Sequence, residues 1–282
     1  MNGKIVGIGE ILWDMLPSGK QLGGAPANFA YHVCRLGGDG WAVSAIGRDG
    51  LGQEIKDVLK CKRLNTCLAE LNLPTGTVQV TLDTKGVPNY NITESVAWDS
   101  IPYSDHLSEI ASETSAVCFG TLAQRSAVSR ETIRRFIGSM PKDSLKVYDI
   151  NLRQHYYDLP LIKSSLELAD VLKINDEELK TVTDLFSLSG SCPEICRSLI
   201  KLFDMRFVIL TKGENGSDVI TLDTVHSIMP DRFDIVDTVG AGDAFTAAFI
   251  VSYLRGDSLE VAHKRAGEAA SYVCARSGAM PE

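Results

Sequence analysis

Two carboxylates and two glycines fall within the seven residues Asp237-Thr238-Val239-Gly240-Ala241-Gly242-Asp243. The small, apolar residues from Ala244 onward predict a helix that begins at this segment. The first turn of a helix presents unpaired N–H groups and the positive end of the helix dipole, which suit a phosphate. Asp243, beside that phosphate, would be positioned to take a proton from a hydroxyl. An isolated aspartate here would be a helix cap, but the two glycines and the second aspartate favour a general base.

Four further polar segments adjoin apolar runs: Gly23-Gly24-Ala25-Pro26-Ala27-Asn28, Asp149-Ile150-Asn151-Leu152-Arg153, Asn175-Asp176-Glu177-Glu178 and Thr211-Lys212-Gly213-Glu214-Asn215-Gly216. The last three follow predicted strands, and ligands bind at the carboxyl ends of parallel strands. The sequence lacks the G-x-x-x-x-G-K-[ST], H-E-x-x-H and G-x-S-x-G motifs, and Phe245 replaces the third glycine of a dinucleotide-binding fingerprint. The segment before Asp243 is therefore the candidate phosphate-binding loop.

Short apolar runs alternate with amphipathic runs along most of the chain. Strands are predicted at 5–9, 41–46, 117–119, 146–150, 171–174 and 207–210, with a late hairpin at 219–222 and 225–229. Helices are predicted at 29–36, 51–59, 131–140, 161–168, 177–186, 192–203, 244–254 and 259–275. This pattern predicts an α/β fold whose central sheet is mostly parallel, with helices on both faces. Residues 77–82 and 90–93 alternate polar and apolar, which predicts an antiparallel excursion over about 74–101 with one solvated face.

Composition narrows the class of protein further. Of the 282 residues 44% are apolar and 23% charged, and the net charge of −8 argues against nucleic acid as a partner. No apolar run reaches the roughly 20 residues that cross a bilayer, and Glu10 and Asp14 interrupt the N-terminal apolar stretch, which argues against a signal peptide. The seven cysteines form no CxxC pair, which predicts reduced thiols and a cytoplasmic location. The five histidines have no mutual spacing and are interpreted as structural or exposed.

The segment Asp-Thr-x-Gly-Ala-Gly-Asp, followed by a small, apolar helix, resembles the C-terminal signature of the PfkB, or ribokinase-like, carbohydrate kinases. The Gly-Gly-Ala-Pro-Ala-Asn segment resembles the N-terminal signature of the same family, and the two lie in the family's order. The resemblance implies a ribokinase-like three-layer α/β fold that forms one domain over residues 1–282. It also implies a small β-sheet lid, formed mainly by residues 74–101 and by part of 10–24.

The resemblance assigns roles on the side of the phosphate acceptor. Asp243 would be the general base, Arg153 would lie near the transferred phosphate, and the anion hole would be formed by Gly240, Ala241 and Gly242. Besides Asp243, the sugar would contact Asp14, Gly23, Gly24, Asn28 and Asn151. A solvated turn for Asp14, a helix cap for Asn28 and a surface ion pair for Arg153 are the structural alternatives.

ATP and Mg²⁺ are the implied cofactors. Asn175 and Glu178 match an Asn-x-x-Glu motif associated with Mg²⁺ and its waters, although acidic residues at a helix start would explain this segment equally well. The nucleotide would contact Asn175, Thr211, Lys212, Gly213, Gly216, Gly240 and Gly242, with a plain turn as the alternative for Lys212. Asp237 and Val239, together with Arg276-Ser277-Gly278, lie where relatives place a K⁺-binding loop.

The predicted lid has two implied consequences. Gln79, Tyr90 and Asn91 are candidate sugar contacts, and closure of the lid would exclude water that competes as nucleophile. Exposed lid strands can also pair between two copies, so a homodimer is expected, with no nucleic-acid or membrane partner.

The predicted function is that of an ATP-dependent sugar kinase. The segments 9–14, 23–28 and 119–122 most resemble fructokinases, so the first choice of acceptor is D-fructose, giving fructose 6-phosphate. The runner-up is 2-keto-3-deoxygluconate, because Arg153 could serve an acidic sugar, and ribose and nucleosides follow. Two other classes remain open: a sugar- or nucleotide-binding regulator on a kinase fold, and an NAD-dependent dehydrogenase, which the missing fingerprint disfavours.

Overall fold

A computed structural model describes residues 3–16, 19–82, 88–230 and 235–282, with the side chains of 80–90 left out of the description. The helices in these ranges are α1 Ala25–Arg35, α2 Gly50–Cys61, α3 Asp105–Ser112, α4 Ala127–Ser139, α5 Leu159–Leu166, α6 Asp176–Leu185, α7 Cys192–Phe203, α8 Ala241–Leu254 and α9 Leu259–Cys274. The strands are β1 Lys4–Ile8, β2 Leu12–Leu16, β3 Gly19–Gly23, β4 Gly40–Gly47, β5 Asn65–Leu71, β6 Gly76–Leu82, β7 Pro88–Ile92, β8 Thr114–Phe119, β9 Leu145–Asp149, β10 Val171–Asn175, β11 Phe207–Thr211, β12 Ser217–Ile220 and β13 Val225–Ile228.

The large sheet has the strand order β13-β12-β11-β10-β9-β8-β1-β4-β5. Its strands from β11 to β5 pair in parallel, and β12 and β13 pair antiparallel at one edge. Because side chains alternate along a strand, Val117 and Phe119 pack against the layer of α3 to α7, whereas Ala116 and Cys118 pack against α1, α8 and α9. The prediction of a mostly parallel sheet with helices on both faces is confirmed.

A second, four-stranded sheet has the order β3-β2-β6-β7. β6 and β7 form the antiparallel hairpin expected within residues 74–101, and β2 and β3 form another. The two hairpins join through a parallel pairing of β2 with β6, in which Leu12 lies opposite Gly76. The small sheet is therefore mixed, whereas the sequence pattern indicated only antiparallel pairing. The turn residues 85–87 of the predicted hairpin lie outside the described residues.

The start of α1 differs from the sequence prediction. The glycine-rich segment predicted a turn up to Asn28, but the helix begins at Ala25. Gly24 precedes it with φ 118°, and a Cβ there would lie 2.5 Å from the carbonyl oxygen of Glu10. Pro26 is tolerated because N–H groups in the first helical turn have no partner within the helix. Asn28 therefore lies inside the first turn and does not cap α1.

Arg125 follows β8 of the large sheet and binds the segment of chain that follows β7 of the small sheet. It donates to both carboxylate oxygens of Asp99, at 2.7 and 2.9 Å, and to the carbonyl of Thr93, which follows β7, at 2.6 Å. Its guanidinium also stacks 4.0 Å from the ring centre of Trp98. The side chains of Arg125 and Asp99 are 7% and 10% exposed, so this ion pair is buried.

Arg125→Met is expected to lower the free energy of unfolding by about 3–5 kcal/mol, because it leaves the Asp99 carboxylate buried without its partner. Urea unfolding measures this change. The matched control is Arg135→Met, since the exposed Arg135 also stacks 4.0 Å from an aromatic ring, that of Tyr103, and its loss should cost about 1 kcal/mol or less. Equal losses in the two variants would contradict a special role for the buried pair.

Candidate active site

The side chains of Asp243 and Asn28 are in contact beside the carboxyl ends of β1, β8 and β9. Gly240 caps α8 in a left-handed conformation with φ 78°, so Asp243 lies in the first helical turn and is not itself the cap. Its Oδ2 accepts a hydrogen bond of 2.8 Å from Nδ2 of Asn28 in α1. Two residues 215 positions apart in sequence are thereby joined, and the carboxylate is held beside the free N–H groups of the helix start.

The environment of Asp243 raises the pKa of its carboxyl toward neutral pH. Removal from water is the largest cause and the charge of Asp149 the next, and the pKa of Asp243 is raised from 3.8 to about 7 in all. The hydrogen bond from Asn28 and the charges of Lys173 and Arg153 act in the opposite direction. A carboxyl whose pKa lies near the working pH is suited to accept a proton and release it again.

Lys173 and Asp149 form a buried ion pair beneath the start of α8. Nζ of Lys173 donates to Oδ1 of Asp149 at 3.0 Å, and the hydroxyl of Thr246 lies 3.3 Å from Oδ2. A Cβ added to Gly242 would lie 3.1 Å from the same ammonium. Burial lowers the pKa of Lys173, but the surrounding carboxylates outweigh it and raise the pKa, so the ammonium stays charged. The N–H groups at the start of α8 and the ammonium of Lys173 would therefore both stabilise an anion bound at this position.

Asp14 and the glycines of the N-terminal segment line the other side of the cleft. Asp14 is partly buried on β2, and Leu12 of the same strand pairs with Gly23 of β3. A Cβ at Gly23 would lie 2.5 Å from Oδ2 of Asp14, so glycine leaves room for this carboxylate. Burial raises the pKa of Asp14, and the charge of Arg153 lowers it.

Asn151 and Arg153 follow β9, as the sequence indicated. Asn151 adopts φ 41° and lines a cavity together with Asp149 and Asp243. Arg153 is exposed, and its guanidinium donates to the carbonyl of Leu152. Its charge lowers the pKa of three carboxyls in this region, those of Glu10, Asp14 and Asp243.

Asn175 and Glu178 cap α6 reciprocally. Oδ1 of Asn175 accepts from the N–H of Glu178 at 2.8 Å, and Oε2 of Glu178 accepts from the N–H of Asn175 at 2.9 Å. Oε1 of Glu178 accepts from the N–H of Leu152. Each carboxylate oxygen keeps a lone pair beyond these bonds, which fits contact with Mg²⁺ through its waters better than direct coordination. Among the described residues no group of three or more His, Cys, Asp or Glu side chains is arranged to hold a metal ion.

The loop after β11 contacts the strand that follows it, β12. Lys212 does not point freely into the cleft, because its Nζ donates to Asp218 at 2.9 Å. Gly216 adopts φ 82°, and a Cβ there would lie 2.0 Å from the carbonyl oxygen of Ile228. Thr211 ends β11, and Gly213 is exposed at the start of the loop. The backbone of this loop is therefore more available to a ligand than the lysine side chain.

Asp237 hydrogen-bonds both to the segment that precedes Asp243 and to the chain that follows α9. Its two carboxylate oxygens accept from the N–H of Val239 at 3.0 Å and from the N–H of Gly278 at 2.9 Å. The segments predicted to form a K⁺ loop thus lie side by side. Of the predicted lid contacts, Gln79 and Asn91 are opposite each other on β6 and β7 and are exposed, and the side chain of Tyr90 lies outside the described residues.

Sequence reasoning missed Glu10, Asp149 and Lys173. The available signal was a charged residue within or directly after an apolar strand, since such a residue needs a partner when the strand is buried. The interpretation of the histidines also missed one contact, because Nδ1 of His226 and Nδ1 of His263 lie 2.8 Å apart.

In the part of the chain that the structure describes, no helix is long and apolar enough to cross a membrane.

The signature of the pfkB family carbohydrate kinases matches residues 18–282, so the chain belongs to this family. An uncharacterized sugar kinase of Pyrococcus horikoshii is 30% identical to 98% of this chain, over 90% of its own length. Its crystal structure superposes with a TM-score of 0.84 over 98% of this chain and 93% of its own, and another is in complex with ATP. A fructokinase of Klebsiella pneumoniae is 29% identical, over 89% of this chain and 84% of its own. The crystal structure of a fructokinase of Xylella fastidiosa with bound ATP has a TM-score of 0.88 at 20% identity, over 99% of this chain and 94% of its own.

These comparisons confirm the predicted family and the ribokinase-like fold. The protein is a sugar kinase of this family, and it resembles fructokinases at about 29% identity.

Proposed function

We propose that the protein transfers the γ-phosphate of ATP to a primary hydroxyl of D-fructose, with Asp243 as the general base. The observation that carries this proposal is the position of Asp243, whose carboxyl has a pKa near 7 and lies in the first turn of α8. A proton acceptor and free N–H donors then face the same small region, as in-line transfer to a hydroxyl requires.

Asp243 accepts the hydroxyl proton as the acceptor oxygen attacks the γ-phosphorus. Asn28 holds Oδ2 of Asp243 so that the other carboxylate oxygen stays available to the hydroxyl. Of the predicted anion hole of Gly240, Ala241 and Gly242, the N–H of Ala241 already donates to the carbonyl of Thr238 at 3.3 Å. The backbone N–H groups of Gly242 and Asp243 would therefore donate to the oxygens on which negative charge grows, and Lys173 would add a fixed positive charge below them. Preorganised donors of this type contribute about 2.7–4 kcal/mol each in other enzymes.

The charges around the acceptor favour an uncharged sugar. Four carboxyls lie on this side, those of Glu10, Asp14, Asp149 and Asp243, and the ammonium of Lys173 already pairs with Asp149. Among the described residues Arg153 is the remaining cation of the site, and its charge already acts on three of these carboxyls. An acidic sugar such as 2-keto-3-deoxygluconate would rely on Arg153 within this described part of the site, so fructose ranks above it, with ribose third.

Asn175 and Glu178 would hold the waters of Mg²⁺, which when bound neutralises charge on the phosphates of ATP. Asp237 and Val239 would line a K⁺ loop against Gly278. The nucleotide would pass over the loop of Thr211 to Gly216. A cytoplasmic location and a homodimer through the small sheet belong to the same proposal, with the small sheet acting as a lid.

ADP release from Mg-ATP tests this function against a panel of fructose, fructose 6-phosphate, 2-keto-3-deoxygluconate, ribose, glucose and adenosine, with and without K⁺. Fructose is expected to exceed every other acceptor in kcat/KM by about tenfold or more, because a polar pocket strongly rejects mismatched groups. Fructose 6-phosphate already carries a phosphate on the proposed acceptor hydroxyl, so turnover with it would require a different hydroxyl, and the anionic 2-keto-3-deoxygluconate tests the effect of charge. Preference for an anionic sugar would refute the acceptor assignment, and sugar binding without turnover would favour a regulator.

A further inference from the structure

Glu10 is a buried carboxyl to which neither the sequence nor the resemblance assigns a role. It follows β1, its side chain is 4% exposed, and its Oε2 has no hydrogen-bond partner among the described residues. The backbone N–H groups of Glu10 and of Ala25, the first residue of α1, lie close enough to the carboxylate to lower its pKa. A role at the start of α1 would therefore account for part of this carboxylate and leaves Oε2 unexplained, since a buried acceptor is rarely left unpaired.

A small cavity separates Glu10 from the proposed base. Its volume is about 10 Å³, and its lining includes Glu10, Asp149, Asn151 and Asp243. This is about the space that one water needs, and the lining offers the polar partners that hold a buried water. Both oxygens of Asp149 already accept hydrogen bonds, from Lys173 and Thr246, so Glu10 and Asp243 are the carboxyls available to such a water.

We propose that Glu10 receives, through one water in this cavity, the proton that Asp243 takes from the acceptor hydroxyl, an inference that rests on the proposed function. The carboxylic acid of Asp243 gives its proton to the water, and the water gives another of its protons to the carboxylate of Glu10. Asp243 returns to the carboxylate, the water is regenerated, and no electrons are transferred. Glu10 acts through Asp243 and is a positioning residue for the proton, without contact to the sugar.

The two carboxyls are matched for this exchange. Burial raises the pKa of Glu10 from 4.5 to about 7, the same region as that of Asp243, and the charge of Asp243 contributes to the rise. Transfer between groups of equal pKa costs little free energy in either direction. The titratable or charged groups facing Glu10 from the elements around it are Arg153 after β9, Asp149 on β9, Cys118 on β8 and Asp243 on α8, and Lys173 on β10 acts on Asp149 and Asp243.

The sharing of a proton can be measured without any turnover. Carbon-13 NMR of protein labelled at the Glu and Asp carboxyl carbons follows each titration in the unliganded protein, and Glu10→Gln identifies the Glu10 signal. Glu10 is expected to titrate near pH 7 in the native protein and about one pH unit lower in Asp243→Asn, because coupled carboxyls shift each other by about that much. By reciprocity of the coupling, Asp243 should shift downward equally in Glu10→Gln. The control Asp14→Asn removes a carboxyl outside the cavity and should move the Asp243 titration less.

Kinetics give a second readout. In Glu10→Gln the acid limb of kcat/KM should move to lower pH by the NMR shift, and kcat at the optimum should fall about tenfold because the proton loses its acceptor. A Glu10 that only caps α1 would change thermal stability and leave the pH profile in place, which would overturn the proposal. So would a Glu10 titration unmoved by Asp243→Asn, a variant that leaves the cap intact. Coupled titrations in a protein inactive on every sugar would instead refute the proposed function and keep the shared proton.

Discussion

Asp243→Asn is expected to lower kcat by a factor of about 10² to 10⁴, the usual contribution of a positioned general base. The substitution keeps the size of the side chain and an oxygen that can accept from Asn28, so sugar binding should change little. Steady-state kinetics and sugar titration by calorimetry separate the two effects. The matched control is Asp105→Asn, which also removes an aspartate from the first turn of a helix but lies outside the site and should keep the native kcat. Native turnover in Asp243→Asn would contradict the assignment.

The pH profile sharpens this expectation. Because the pKa of Asp243 is raised to about 7, the base is ionised only above that pH, so kcat/KM of the native protein should rise through pH 7. Asp243→Asn should lose this limb.

The stability of the same variant should move in the opposite direction. A raised carboxyl pKa means that the folded state holds its proton from about pH 4 to 7 while the unfolded state has lost it, so ionised Asp243 destabilises the native fold at pH 8. Asp243→Asn removes this destabilisation, and its Tm should exceed the native value by a few degrees at pH 8. At pH 4 the two proteins should melt at nearly the same temperature, and a difference confined to low pH would contradict this explanation.

Lys173→Met is expected to lower the free energy of unfolding by about 3–5 kcal/mol, since it leaves the carboxylate of Asp149 buried without a cation. It should also raise the pKa of Asp243 further, because Lys173 is one of the charges that lower it. Urea unfolding measures the first effect, and the acid limb of kcat/KM, displaced to higher pH, measures the second.

Two further variants isolate the buried pair. The double variant Lys173→Met with Asp149→Asn removes both charges and should recover much of the lost stability. Lys163→Met removes the cation of an exposed pair with Glu167, whose side chains are 59% and 55% exposed, and should cost about 0.5 kcal/mol or less. If Lys173→Met were no more destabilising than Lys163→Met, the ion pair would not stabilise the site.

The sequence indicated most of the large sheet and several candidate residues because their signals are local. Unbroken apolar strands between amphipathic helices predict a parallel sheet wherever they occur. Parallel strands bring their carboxyl ends to one edge, which is why the segment of Asn151 and Arg153 could be assigned to a ligand site, whereas the resemblance placed Asp243 in the same site. The resemblance of two short motifs then supplied the family.

Elements with weaker local patterns were not predicted. The strand β5 lies at the edge of the large sheet and buries none of its residues fully, the helix α3 has only eight residues, and β2 pairs with the distant β6, so neighbouring residues carry little signal for these elements. The early start of α1 depends on Gly24, whose φ of 118° and contact with Glu10 become visible only in three dimensions.

The sequence by itself determined the family, the class of fold and the motif that carries the proposed base. Only the tertiary structure decided which charged groups surround that base. Lys173 and Asp149 lie 24 residues apart and Asn28 and Asp243 lie 215 apart, and no local pattern encodes either contact. Solvation and charge at a carboxyl depend on distances in space and not on separation along the chain, so the raised pKa of Asp243 and the position of Glu10 beside it follow from packing alone.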